Sequence, residues 1–387
     1  MNTGRYVVSQ IMDLIHRQTL DRLVERYGAE TRVRHFGCRQ QLICMVFAQL
    51  TWRESLRDIE ACLNAKPETL YHLGFRAPLA RSTLAEANEQ RDWRLWRDLS
   101  LGLIAQARRL YAGENLGLEF DNTIYALDST TIDLSLTLFP WADFRSTKAG
   151  IKLHTQLDLR GPIPVVIDIT AARQHDVRWL DELIFEAAAF YVLDRGYVDF
   201  ARLARIAQAT AFFVTRAKDN LRFTRQRSLP VNFAEGLRSD HIGKLTHAKS
   251  RAAFPWPLRK VRYFDAETKR HLVFLSNNLQ IPALSVARLY KLRWQVELFF
   301  RWIKQNLRIK HFFGNSGNAV RTQIWIAVAV YVMIAILHKE LKLPGTLHRT
   351  LQILSVHPFE KVTLHELLAE TDLSQLIMTT SNQLTLW

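Results

Sequence analysis

Residues 283–308 read ALSVARLYKLRWQVELFFRWIKQNLR, without glycine or proline and with apolar side chains recurring at helical spacing. That pattern predicts one long amphipathic helix. At about 100° per residue, Leu292, Val296, Phe299, Ile303 and Leu307 share one flank, while Tyr290, Arg293, Glu297, Arg301, Lys304 and Arg308 form a narrow stripe beside it. One carboxylate among cations and a phenol has two readings. The stripe can bring an acid to a metal ion while its neighbours grip phosphates. Alternatively, Glu297 pairs with Arg293 and Arg301, one turn away on either side, in an ordinary surface ladder.

Upstream, two short strand patterns end in an acid. Ile124-Tyr-Ala-Leu-Asp128 runs into Ser129, Thr130 and Thr131, and Phe190-Tyr-Val-Leu-Asp194 turns away at Arg195-Gly196. Between and after them, Gly150–Leu159 alternates apolar and polar residues, and Ile163–Thr170 is a further strand. Arg178–Ala189 and Val198–Ala209 read as helices, and Ala211–Thr215 as a fifth strand leading into Arg216-Ala-Lys218. Three strands, helix, strand, helix, strand make a mixed α/β sheet. Residues 216–282 carry short alternating runs separated by proline and glycine, which predicts a β-rich insertion before the long helix resumes the fold.

In open α/β sheets functional residues gather at the carboxyl ends of strands. Asp128 and Asp194 are expected side by side there, with Glu297 delivered by the helix. Three converging carboxylates repel one another unless cations neutralise them. Hard oxygen ligands suit Mg²⁺ or Mn²⁺, and two such ions roughly 4 Å apart support in-line attack at phosphorus.

The remaining sequence frames this core. Residues 1–115 look all-helical, with Gln40–Leu50 apolar and with Ser55-x-x-Asp58 and Thr83-x-x-Glu86 resembling capping boxes. Arg81–Arg97 mixes Arg, Asn88, Gln90 and two tryptophans, side chains suited either to reading base edges or to an ordinary solvated helix. Ile324–Leu337 is an unbroken apolar run of 14 residues. That is too short to span a bilayer, so a buried helix over 319–342 beneath the sheet is expected. Pro344-Gly345 marks a boundary. The domains expected are 1–115, helical and DNA-binding; 116–342, catalytic, interrupted by 216–282; and 343–387, a small helical extension. The chain has 52 Lys and Arg against 37 Asp and Glu, a net charge of +15 spread along its length, which points to a polyanionic partner. No basic amphipathic anchor separate from the core supports a membrane surface, and no signal peptide opens the chain. Cys38, Cys44 and Cys62 fit no zinc spacing and read as reduced thiols; the 13 histidines show none either.

With these pieces in place, Tyr290-x2-Arg293-x3-Glu297-x6-Lys304 resembles the Tyr-Arg-Glu-Lys signature of the IS-four family of bacterial insertion-sequence transposases, of the DDE class. The segments around Asp128 and Asp194-Arg-Gly-Tyr197 resemble that family's other motifs, and the likeness spans roughly residues 30–340. It implies an RNase-H-like catalytic domain in which Asp128, Asp194 and Glu297 hold two Mg²⁺ (or Mn²⁺) ions. It implies that water nicks each transposon end and that the freed 3′-hydroxyl becomes the nucleophile that joins the end to target DNA. It implies that Tyr290, Arg293 and Lys304 hold DNA phosphate, and that a homodimer works on terminal inverted repeats and target DNA in the bacterial cytoplasm, at the nucleoid. Members commonly cut and paste through a hairpin, which needs a flipped base. Trp256, stiffened by flanking prolines, is the candidate to stack on it, or else packs under the insertion. Arg301, Lys152, His154, Arg216 and Lys218 are further candidates for DNA contact, although strand alternation also permits Lys152 and His154 an ordinary surface role. His175-Asp176 reads as a polar turn before a helix, with a catalytic role as the less favoured alternative. Two rival readings are a related nuclease that cuts without joining and a non-enzymatic DNA-binding repressor.

Overall fold

The computed structural model describes residues 4–31, 33–145, 148–306 and 312–368. They form two compact units. The first comprises residues up to Tyr111, Thr137–Trp141 and the chain from Arg301 onward, and the second comprises Ala112–Leu136 and Ala142–Phe300.

The second unit is built on one ten-stranded sheet. Its strands are β1 (Ile124–Leu134), β2 (Asp143–Arg145), β3 (Lys148–Asp158), β4 (Ile163–Ala171), β5 (Phe190–Leu193), β6 (Phe212–Arg216), β7 (Phe223–Leu229), β8 (Leu237–Leu245), β9 (Leu258–Asp265) and β10 (Arg270–Ser276). The order is β2-β3-β1-β5-β6-β10-β9-β8-β7, with β4 also paired to β3. At its centre β1, β5 and β6 are parallel, and β3 and β10 flank them antiparallel. This is the mixed sheet expected. The insertion is not a separate body, because β10 pairs with β6 and β7–β10 continue the same ladder. One face of the parallel strands carries Tyr125, Leu127, Tyr191, Leu193 and Phe213, which pack with Leu203 and Ile206 of the helix Phe200–Gln208 and with Trp179.

Arg178–Ala189 does not form the expected helix. Only Asp176–Trp179 is helical. Tertiary partners take the groups a helix would have used: Arg205 donates to the carbonyls of Leu180 (2.7 Å) and Leu183 (3.5 Å), and the Glu186 amide donates to the Tyr191 hydroxyl at 2.7 Å. Competing partners of this kind override a helical propensity that rests on local preference alone.

The first unit is helical and surrounds Gly317–Glu340, which is buried from Ala319 to Leu337. This helix packs on Arg94–Tyr111, Cys38–Leu50, Arg81–Gln90 and Leu347–Val356. The position expected for it, beneath the sheet, is therefore corrected: residues 301–342 cluster with the N-terminal helices. A helix apolar on all sides needs neighbours all round, and a bundle supplies them. Residues 347–356 are part of that bundle too, since Thr350, Leu351 and Leu354 are buried.

Other expectations divide along local chemistry. Ser55 caps its helix by accepting from the Asp58 amide (3.2 Å), whereas Thr83 lies inside a helix that already begins at Arg81. Asn88, Arg91 and Trp96 are interior rather than presented to a groove. Asn88 accepts from Gln41 at 2.8 Å, and Arg91 donates to Gln41 and to the carbonyls of Gly37 and Phe36. The base-reading role considered for Arg81–Arg97 is corrected for these residues: the polar groups of Asn88 and Arg91 bond inside the bundle, and Trp96 is packed in it. Cys38, Cys44 and Cys62 are free thiols, as expected.

Candidate active site

The parallel strands set the site's geometry. Leu127, Leu193 and Thr215 stand opposite one another in register. The next row is therefore Asp128, Asp194 and Arg216, on strands about 4.8 Å apart. Side chains alternate across a sheet, so this row points away from the face that buries Leu127 and Leu193.

The helix expected over 283–308 is two helices, Ala283–Leu292 and Trp294–Asn306, with Arg293 at the joint. There the hydrogen bonds tighten to one turn of shorter span, Arg293 N–H to Tyr290 and Val296 N–H to Arg293, as at other local helix irregularities. From that joint the Arg293 guanidinium reaches Asp128 Oδ2 at 2.9 Å and Glu297 Oε1 at 2.6 Å. The i,i+4 pair of the plain reading thus exists, and the same guanidinium also takes Asp128. One fork holding both carboxylates places them within about 8 Å of each other. Tyr290, its ring packed at a tilt against Phe274, donates to Asp194 Oδ1 at 3.1 Å. Arg293 thus joins Asp128 to Glu297, and Tyr290 holds Asp194.

Their electrostatics follow from burial. The Asp128 carboxyl is pushed up to about 6, first by burial and further by the charges of Asp194 and Glu297, against the pull of Arg293 and the Ser129 amide. Burial also raises the Tyr290 phenol to about 12, which keeps it a donor. An acid ionised at such a penalty calls for positive charge. Among the described residues no three acid, imidazole or thiol groups stand close enough to cage an ion; the guanidinium lies between Asp128 and Glu297. The donor set nevertheless suits hard divalent cations, being all carboxylate oxygen.

The other candidates divide. Arg216 is half-buried and near enough to Tyr290 to act on its ionisation. Lys218 is exposed and donates to the Val198 carbonyl at 2.9 Å. Trp256 is 41% exposed, its ring edge-on to Phe254. Arg301 is exposed and Lys304 half-buried further along the helix, among residues of the first unit. Leu307 and Arg308 lie outside the described residues.

His154 is corrected. It is fully buried, stacked on Trp179, bonded to Thr170 at 3.0 Å and pushed down to about 4 by burial, so it is neutral and out of reach of DNA. Lys152 is corrected with it. Both lie on the face opposite Asp128, paired in register with Ser129 and Thr131, and Lys152 binds Asp176 at 2.8 Å. Sequence reasoning missed Trp294, half exposed beside Arg293. Its signal was an aromatic ring on the polar stripe instead of the apolar flank.

This mixed sheet, with aspartates side by side on adjoining parallel strands and a glutamate on a following helix, is RNase-H-like in fold. The chain belongs to the DDE transposases: residues 119–333 match the family described as Transposase DDE domain. Residues 3–76 match a second family, a domain of unknown function termed DUF4372. A protein of Sinorhizobium fredii named as transposase y4zB is 36% identical, over 65% of this chain and 70% of its own length. A Geobacillus stearothermophilus protein named as the transposase of insertion sequence element IS5377 is 25% identical, over 88% of this chain and 87% of its own. One from Synechocystis, named for element IS4SA, is 25% identical over 80% and 84%. The chain is therefore a bacterial DNA transposase, an enzyme of strand cleavage and strand transfer that depends on divalent metal.

Proposed function

We propose that this transposase, of the IS-four kind, excises an insertion sequence by cutting at its ends and joins those ends to target DNA, with Asp128, Asp194 and Glu297 as the catalytic acids. The observation carrying this is the double grip of Arg293 on Asp128 and Glu297, with Tyr290 on Asp194. Two Mg²⁺ or Mn²⁺ ions, when bound, would activate the attacking oxygen and stabilise the leaving one.

The chain's own residues do the rest. Asp128 and Asp194 stand in one row on rigid strands, and Glu297 closes on them from the helix. Arg293 holds the acids together until other cations replace it, and its planar fork then suits a DNA phosphate. Tyr290, Arg216, Lys218, Arg301 and Lys304 contact the backbone of the end. Trp256 stacks on a flipped base in a hairpin intermediate. The helical first unit binds the terminal inverted repeats. A homodimer on DNA performs the reaction in the cytoplasm, at the nucleoid, without a membrane; the excess of cations supports the polyanionic partner.

The test is incubation of the purified protein with DNA bearing the element's ends and Mg²⁺, with products resolved on a denaturing gel. Nicks at the ends followed by joined products are expected, and Asp128→Asn should bind the same DNA without cutting it. Cutting without joining would favour a nuclease. Unchanged cutting by Asp128→Asn would remove the acid from the site.

A further inference from the structure

The strand that carries Asp128 is held from behind. Ser129 follows Asp128, and its side chain emerges on the opposite face of β1, opposite His154 in register. The Ser129 peptide N–H donates to Asp128 Oδ1 at 2.8 Å. A short local bond of this kind is aimed only as well as the peptide that makes it. On the far face the Ser129 hydroxyl donates to Asp176 Oδ1 at 2.6 Å, and Lys152 Nζ reaches the same oxygen at 2.8 Å. Lys152 also donates to the Gln174 carbonyl at 2.8 Å, and Trp179, in the same turn as Asp176, stacks on His154. The buried Tyr197 hydroxyl, three residues beyond Asp194, lies beside Ser129. Ser129 of β1 and Tyr197, in the turn after β5, therefore border one half-buried polar cluster.

We propose that Asp176 is a positioning residue, which fixes the Ser129 hydroxyl on one face of β1 and so orients the Ser129 amide that holds the Asp128 carboxylate on the other. This rests on Asp128 being a catalytic metal ligand. The path is two hydrogen bonds long and crosses the sheet through a single residue. Partners that orient ligating carboxylates in this way contribute heavily to metal affinity. Lys152 supplies the charge that lets a half-buried Asp176 remain ionised beneath the site.

The experiment is a double-mutant cycle on the full chain, read by the Mn²⁺ affinity (from the free-ion electron paramagnetic resonance signal) and by single-turnover cleavage of end DNA. Asp176→Ala and Ser129→Ala should each weaken Mn²⁺ binding by about 10-fold and slow cleavage by a similar factor. Together they should do no more than either alone. Asp176→Asn keeps an oxygen for the Ser129 hydroxyl and should recover most of the loss. Gel-shift affinity for end DNA in EDTA should not change. Additive losses, or wild-type Mn²⁺ affinity in Ser129→Ala, overturn the tether; that variant removes one hydroxyl and carries the test even if Asp176→Ala fails to fold. If Asp128→Asn itself retains full Mn²⁺ binding and cleavage, the assignment of the acids has failed instead.

Discussion

Replacing Arg293 with glutamine removes the cation between Asp128 and Glu297 and leaves both acids in place. The lost contacts are two charge-assisted bonds, at 2.9 and 2.6 Å, from a guanidinium side chain only 13% exposed. Breaking a fully buried pair costs about 3–5 kcal/mol. Glu297 is a third exposed, so water screens its share, and about 2–3 kcal/mol is the expected loss. For a unit of this size that is a melting temperature lower by roughly 5–10 °C.

The loss should depend on pH in a defined sense. Asp128 already sits near 6, against 3.8 for an ordinary aspartate. A carboxyl raised in the folded state contributes stability that is present below its unfolded pKa and lost as pH rises through the folded one. Without Arg293 the folded pKa rises further, so the Asp128 share of the deficit should be small at pH 5 and complete by pH 8, and the total should grow over that range. Millimolar Ca²⁺, which supplies charge without turnover, should restore most of it. Scanning calorimetry of both proteins from pH 5 to pH 8, with and without Ca²⁺, measures this. A deficit independent of pH, or one that grows on acidification, or no recovery with Ca²⁺, refutes the account of the guanidinium as a counter-ion.

Three further outcomes follow from other sites. Asp240→Ala strands the buried Arg259, which pairs with Asp240 at 2.6 Å and also donates to the Ile281 carbonyl; denaturant unfolding should show a loss of about 3–5 kcal/mol. Asn88→Ala removes an interior hydrogen bond to Gln41 and should cost about 1–3 kcal/mol while leaving the DNA affinity of the folded fraction unchanged, by titration at matched folded concentration. Trp256→Ala, at a half-exposed ring, should change the melting temperature little yet reduce hairpin product on a denaturing gel; an equal yield would return Trp256 to a packing role.

The sheet's centre was legible because its signals are local. Alternation and a terminal acid mark β1 and β5, and a parallel register then leaves Asp128 and Asp194 no arrangement except side by side. Glu297 was legible from helical periodicity. The break at Arg293 was not, since no proline or glycine announces it and the carboxylate that its guanidinium meets, Asp128, lies 165 positions away. Likewise Arg178–Ala189 carries a helical pattern that Arg205 and Tyr191 override from elsewhere. Asn88 and Arg91 show the reverse error. Residue types suited to reading bases are equally suited to satisfying buried carbonyls, and composition cannot tell these uses apart. The tie between Ser129 and Asp176 needed the fold, because strand alternation predicts which face a hydroxyl takes but not what waits there.

The chain leaves the centre of the sheet at Arg216, in the row of the aspartates, and comes back beside it on β10, where Phe274 stands directly opposite. That pairing closes the excursion like a drawstring, and the entropic cost of a longer excursion grows only with the logarithm of its length. The interposed strands can thus diverge, lengthen or be exchanged between related elements while the carboxylates stay where they are. Changes inside the loop need not reach the row of aspartates at its neck.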